Sequence, residues 1–211
     1  MFLIIVGTGA MGQVIKECAV EDRAFERIEM VEPLENNWPE EKADLIIDFS
    51  HPQATRGIYE YCRKQRGGIP VVMGTTGQSE VEEQLIGMIE KICPIVRKSN
   101  FSRGIEALNR IAAEAKEMLP AADVRIEEIH HTKKKDAPSG TARTLGEILE
   151  IGEESMSSMR MGNVVGVHKV YFALEDEEVE IVHRAHSKRI FAQGALEAGK
   201  KAAEKRNNLT Y

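Results

Sequence analysis

The sequence predicts an α/β protein: a doubly wound parallel sheet first, then a smaller α+β unit with a mixed or antiparallel sheet. Three observations lead there. Short apolar runs alternate with helical patterns through residues 1–100, which is the grammar of parallel sheets. A glycine-rich turn closes the first of those runs. From Ser102 onward a long helical pattern and strands of alternating polarity replace that repeat.

The elements follow in order. Phe2 to Val6 is a continuous apolar run that ends in Gly7-Thr8-Gly9-Ala10-Met11-Gly12, and Val14, Ile15, Cys18 and Ala19 then share one helical face. Ile28 to Val31 reads as a second strand ending at Glu32, and Leu45 to Phe49 as a third, buried one. Ile58, Tyr61 and Cys62 line the next helix. Ile69 to Met73 is a strand stopped by Gly74-Thr75-Thr76-Gly77, and a helix from Ser79 to Ile92 precedes the short strand Ile95–Val96. That strand leads into Ser99-Asn100-Phe101-Ser102.

In the second part, Ile105, Leu108, Ile111, Ala112, Ala115 and Leu119 mark an amphipathic helix, and Val124 to Ile129 alternates as a strand running into His130-His131. A helix should start near Ser139 and carry Leu145, Ile148 and Leu149. Beyond a Ser/Met/Gly-rich stretch from Glu153 to Asn163, segments Val164–Leu174 and Val179–His183 read as an antiparallel pair. Phe191 to Lys205 is a last helix with a face of small residues, Ala192, Ala195, Ala198 and Gly199 beside Leu196. The expected division is 1–100, completed by a terminal helix at 190–211, and 101–189.

Composition narrows the function classes. Of 211 residues, 42% are hydrophobic and 29% charged, so a packed core is available. Aromatics are only 5%, with Trp38 alone of its kind, so aliphatic residues must build that core. A net charge of −6 argues against a general nucleic-acid binder. No stretch approaches the ~20 apolar residues of a membrane span. Cys18, Cys62 and Cys93 are widely spaced, which disfavours a disulfide framework or a zinc site. The first apolar run is too short for a secretory signal. A cytoplasmic protein without a metal is the expectation.

Gly7 to Gly12 sits in a strand-to-helix turn, where glycines let a pyrophosphate approach the backbone and the helix N-terminus. Glu32 follows twenty positions after Gly12, at the end of the second strand, where a carboxylate accepts hydrogen bonds from a ribose diol. The bland reading is a structural turn plus a surface glutamate. Position, spacing and element type agree better with a Rossmann dinucleotide-binding domain. Glu32 is followed by Pro33, Leu34 and Glu35, and the nearest basic residue downstream is Lys42. A 2′-phosphate needs a cation there, so NADH is expected to be preferred, with NADPH possible. Gly74-Thr75-Thr76-Gly77 and Ser99-Asn100-Phe101-Ser102 belong to the carboxyl edge of the same sheet, either as helix caps or as cofactor contacts.

Glu127-Glu128-Ile129-His130-His131-Thr132-Lys133-Lys134-Lys135-Asp136-Ala137-Pro138-Ser139-Gly140-Thr141-Ala142 is the most informative stretch. Paired histidines titrate near neutrality. Three lysines concentrate positive charge on an acidic chain, and Ser139-Gly140-Thr141 opens a helix whose free N–H groups favour an anion. The combination suits a small dicarboxylate; an exposed basic loop with a capped helix is the alternative.

This block resembles the signature of dihydrodipicolinate reductase, the 4-hydroxy-tetrahydrodipicolinate reductase family of lysine and diaminopimelate biosynthesis. Ile47-Asp48-Phe49-Ser50-His51-Pro52, Gly74 to Gly77, Asn100-Phe101-Ser102 and Phe191-Ala192-Gln193-Gly194-Ala195 match as well, in the right order along nearly the whole chain. The resemblance implies that Gly7, Thr8, Gly9, Ala10, Met11, Gly12, Glu32, Gly74, Thr75, Thr76, Ser99, Asn100 and Phe101 hold NAD(P)H. It implies that His130 and Lys134 are the acid/base pair, with Lys134 the proton donor, and that His131, Gly140, Thr141 and Lys188 bind the dicarboxylate. It also implies a homotetramer built through the second domain. Lys133 and Lys135 would favour proton release from Lys134.

Departures from the family pattern are specific. The glycine turn is one residue short and lacks the Arg usual before Met11, which also fits weak use of NADPH. The twelve residues from Pro33 to Asp44 leave no room for an extra helix and strand. A second trimming lies between Leu149 and Met159-Arg160. Lys188 stands where an Arg is expected, with Arg189 beside it, so which of the two meets substrate is open. A related oxidoreductase for another imine or semialdehyde, and a dinucleotide-binding regulator without turnover, are the competing readings.

Overall fold

A computed structural model describes residues 1–35 and 37–208 of the chain. The elements run β1 (Phe2–Val6), α1 (Ala10–Glu21), β2 (Arg27–Val31), β3 (Leu45–Asp48), α2 (Ala54–Lys64), β4 (Val71–Met73), α3 (Glu80–Glu90) and β5 (Ile95–Arg97). They continue with α4 (Arg103–Met118), β6 (Asp123–His130), α5 (Gly140–Leu149), a 3₁₀ turn (Glu153–Ser155), β7 (Met156–Arg160), β8 (Gly166–Ala173), β9 (Glu178–Ala185) and α6 (Arg189–Asn208). Residues 209–211 of the expected terminal helix lie outside the described residues. The chain divides into two compact units: Met1–Phe101 with the chain from Phe191 onward, and Ser102–Ile190.

The first unit is a five-stranded sheet in the order β2-β1-β3-β4-β5, with every pair parallel. Both of its faces are covered, which is why its strands read as continuous apolar runs. Ile4, Val6, Ile46, Val71 and Met73 pack on one side against Ile58 of α2 and Ile86 and Ile89 of α3. The alternate residues Leu3, Ile5, Leu45, Ile47 and Val72 pack on the other against Ile15 and Ala19 of α1. The small-residue stripe of α6 joins that second side through Ala192, Ala195 and Leu196.

The second unit is a four-stranded sheet in the order β7-β6-β8-β9. Strand β7 runs parallel to β6, while β6–β8 and β8–β9 are antiparallel, so the sheet is mixed. Ile105, Leu108 and Ala112 of α4 and Leu145 and Leu149 of α5 cover one face, over Ile126, Val170 and Phe172.

Two expectations are corrected. The Ser/Met/Gly-rich stretch contains strand β7 and not only a connection, because Met156 to Arg160 finds backbone partners along β6. Ile111 is 52% exposed. It lies six positions, about 240° round the helix, from buried Ile105 and so falls off the apolar stripe.

The fit of α6 depends on Gly194. A Cβ there would lie 1.8 Å from the carbonyl oxygen of Phe101, and backbone cannot move aside as a flexible side chain can. Gly194→Ala is therefore expected to lower the unfolding free energy by about 2–3 kcal/mol, read by urea denaturation. A neutral substitution would show that α6 does not seat as described.

Candidate active site

The glycine turn does two different jobs. Gly7 has φ +107°, a left-handed conformation that favours glycine, and a Cβ on Gly12 would lie 1.9 Å from the Gly7 carbonyl oxygen. These two residues let β1 and α1 meet closely. Gly9 is the N-cap of α1, and a Cβ added there would meet nothing within 4 Å. The helix N-terminus thus opens on free space through its middle glycine. That space is a cleft of about 230 Å³ lined by Gly7, Thr8, Gly9, Glu32, Phe49 and Ser50, among others. The Thr8 hydroxyl donates to the Glu32 carboxylate at 2.8 Å, and the Glu32 backbone N–H donates to the Asn37 side chain at 3.0 Å. Glycine turn and carboxylate are therefore brought together, and a dinucleotide fits this cradle: a helix N-terminus for phosphates and an acceptor for ribose hydroxyls.

The floor of the cleft rests on Asp48, which sequence reasoning placed only inside a motif. It closes β3 at 1% exposure. Its carbonyl accepts from the Gly74 N–H at 2.8 Å, and its carboxylate accepts from the Ser50 hydroxyl. The Ser50 N–H in turn donates to the Thr75 hydroxyl at 2.8 Å. Burial pushes the Asp48 carboxyl up to about 6, against the pull of these hydroxyls. Gly74 to Thr76 and Ser99 to Phe101 follow β4 and β5 on the same carboxyl edge, with Phe101 tilted against Phe49 at 5.7 Å between ring centroids.

In the second unit one end of the helix-covered face is polar. Glu128 and His130 alternate with Glu127 and Ile129 along β6 and so share that face. Glu128 is fully buried. His130 Nδ1 is in hydrogen-bond contact with one of its carboxylate oxygens, and Arg160 Nη2 donates to the other at 2.8 Å. Burial would raise this carboxyl, but hydrogen bonds from His130, Arg160 and Ser158 outweigh it and bring it down to about 2. His168 of β8 stands opposite Glu128, with its ring edge-on to His130 at 5.2 Å. Burial foremost, with His130 beside it, pushes His168 down to about 3, so it is neutral.

His168 Nε2 is 3.1 Å from the Ser139 hydroxyl, which also caps α5 by accepting from the Ala142 N–H at 3.2 Å. This ties the polar end of the sheet to the helix N-terminus carrying Gly140 and Thr141. His131 follows directly after β6. Burial first, then Lys188, His130, Lys134 and Lys133, hold its ring below the usual histidine range. His131, Lys188 and the lysine loop are thus one electrostatic neighbourhood. Lys134 differs from expectation in its closest partner, which is an anion: the Asp136 carboxylate lies 2.8 Å from its Nζ.

The family model for the dihydrodipicolinate reductase N-terminus matches residues 1–101, and that for its C-terminus matches residues 104–211. The chain belongs to the dihydrodipicolinate reductase family. A 4-hydroxy-tetrahydrodipicolinate reductase of Thermosipho africanus is 38% identical, over 99% of this chain and 94% of its own. One from Alkaliphilus oremlandii is 35% identical, over 95% and 92%. Among solved structures, a dipicolinate-bound dihydrodipicolinate reductase from Paenisporosarcina aligns with TM-score 0.72 at 20% identity, over 97% of this chain and 95% of that one. A probable dehydrogenase from Thermotoga maritima aligns with TM-score 0.60 at 10% identity, over 99% and 89%. The likeness to these two structures shows the fold alone. Among the described residues, no helix is long and apolar enough to cross a membrane.

Asp48 gives a stability test with a defined sign. Its folded carboxyl titrates near 6, against 3.8 when unfolded, so between those values the folded chain binds more protons. Stability contributed by the protonated acid is lost as pH rises from about 4 to 6. Asp48→Asn is expected to match the parent below about pH 4 and to be more stable by up to about 3 kcal/mol above pH 7. Denaturation across this range checks it; a difference that does not vary with pH would contradict it.

Proposed function

We propose that the chain is an NAD(P)H-dependent oxidoreductase that reduces 4-hydroxy-tetrahydrodipicolinate, or the dihydrodipicolinate it yields by losing water, to tetrahydrodipicolinate. The observation that carries this is the folding of the Glu127–Ala142 block, which ties His130, through its edge contact with His168, to the capped start of α5 in a chain of this family. A protein that only bound dinucleotide would have no use for that arrangement.

Reduced nicotinamide, when bound, supplies a hydride from C4. Gly7 to Gly12 receive the pyrophosphate at the start of α1, and Glu32 accepts from the ribose hydroxyls. Gly74, Thr75, Thr76, Ser99, Asn100 and Phe101 take the rest of the dinucleotide along the sheet edge. In the second unit, His131, Lys188 and the N–H groups of Gly140 and Thr141 hold the two carboxylates. Lys134 gives the proton to the enamine-like ring left by hydride addition, and His130 is its acid/base partner.

Self-association belongs to the uncovered face of the second sheet. Met159 and Val182 are 47% and 38% exposed, and they alternate with the helix-facing residues of β7 and β9. A homotetramer on this face accords with the family resemblance.

Lys134→Ala is expected to lower kcat by roughly 10²–10⁴-fold while NADH affinity stays within about twofold. The assay follows loss of reduced-nicotinamide absorbance, with substrate generated by the upstream synthase. A near-normal rate would remove Lys134 as the acid. The Glu32 carboxylate, hydrogen-bonded to Thr8, repels a 2′-phosphate, so kcat/KM should favour NADH over NADPH by roughly tenfold, about 1.4 kcal/mol. A clear preference for NADPH would overturn the assignment of Glu32.

A further inference from the structure

Glu128 and Arg160 take none of the roles proposed for the reaction, yet their side chains join His130 to the turn that carries Lys134. A buried ion pair is seldom the most stable solution, since apolar residues of similar volume often do as well or better. Removing one partner is costly, which makes such a pair a device for fixing geometry. We propose that Glu128 and Arg160 are positioning residues for the reduction. Glu128 holds the His130 ring with its proton on Nδ1 and Nε2 as the working atom, and Arg160 locks that carboxylate to the loop bearing Lys134. This rests on the function proposed above.

The geometry runs in one chain of contacts. An ionised carboxylate only accepts, so the hydrogen between Glu128 and His130 sits on Nδ1. Nε2 is then the acceptor of the neutral ring. Gly166, opposite His130, would place a Cβ only 3.2 Å from Nε2, so its lack of a side chain leaves that atom room. Arg160 Nη2 donates both to Glu128 at 2.8 Å and to the Asp136 carbonyl at 2.5 Å, while Nη1 donates to the Met159 carbonyl at 2.8 Å. Asp136 is the residue whose carboxylate pairs with Lys134. One guanidinium therefore sets both the anion behind His130 and the turn behind Lys134. A lysine ammonium lacks the second nitrogen by which Arg160 is anchored to the Met159 carbonyl and its plane fixed.

The groups facing the ring come from every neighbouring strand and the loop. Around the ring and its neighbour His168 they are Arg160 on β7 through Glu128, His168 itself on β8 with His183 of β9 beyond it, and His131, Lys134 and Asp136. His168 is already engaged by Ser139. Glu128 is the anion in contact with Nδ1.

The test uses the full chain labelled with ¹⁵N-histidine, the His130 signals being assigned by their loss in His130→Asn. In the neutral ring of the parent protein, long-range proton–nitrogen correlation should show Nδ1 protonated and Nε2 bare. Glu128→Gln should bring in the Nε2–H form and lower kcat by roughly 100-fold, with KM and NADH affinity within about threefold. Arg160→Lys should keep the Nδ1–H ring and lower kcat by roughly tenfold, since charge survives but the fork is lost. A parent ring protonated on Nε2 overturns the proposal, as does full kcat in a folded Glu128→Gln chain. If Glu128→Gln does not fold, the parent spectrum and Arg160→Lys decide. An Nδ1–H ring in a parent chain without reductase activity sinks the proposed reaction and leaves the Glu128–His130 link standing.

Discussion

A carboxylate with no solvent exposure organises the second unit. Glu128 sits on the helix-covered face of the sheet, where an unpaired charge would cost several kcal/mol. Its two oxygens are satisfied from different places, one by the next residue on its own face and one by a neighbouring strand. That requirement accounts for β7 pairing parallel to β6, since the pairing sets Arg160 beside His130 in register. It also divides the sheet face into an apolar part under α4 and α5 and a polar part at the start of α5. The proposed acid/base residue His130 lies on the polar part.

The first unit solves a different problem with backbone alone. Gly7 and Gly12 allow β1 and α1 to approach, and Gly9 leaves the helix N-terminus open to the cleft. Glu32 is held by Thr8 and by Asn37 so that its carboxylate faces the same space. Asp48, Ser50 and Thr75 brace the floor beneath through hydroxyl and backbone contacts. In the proposed reaction each unit carries one part of the reduction, the site of the hydride source in one and the proton donor with its anion site in the other.

Much of this was legible in the sequence because local signals and tertiary contacts agree. Phe2 to Val6 is apolar at every position because both faces of its sheet are covered. Ser139 reads as a helix start, and its hydroxyl does cap α5. What stayed hidden depends on contacts that only the folded chain makes. Met156 to Arg160 carries two serines in five residues and becomes a strand only by pairing with β6. Glu128 looks like one more polar residue in an alternating strand until Arg160 is placed beside it. The neighbours of Lys134 in sequence are cations, whereas its partner in space is Asp136. Asp48 resembles the end of a buried strand, and its raised carboxyl reflects how completely the sheet encloses it.

The most direct test of the central claim is isotope transfer from cofactor to ring. NADH deuterated at the transferred C4 position would be turned over with synthase-generated substrate, and the tetrahydrodipicolinate product analysed by mass spectrometry. The account predicts one deuterium on a ring carbon of each product molecule, with none when unlabelled NADH is used. Oxidation of the cofactor without deuterium in the product, or no oxidation by the intact chain, would contradict it.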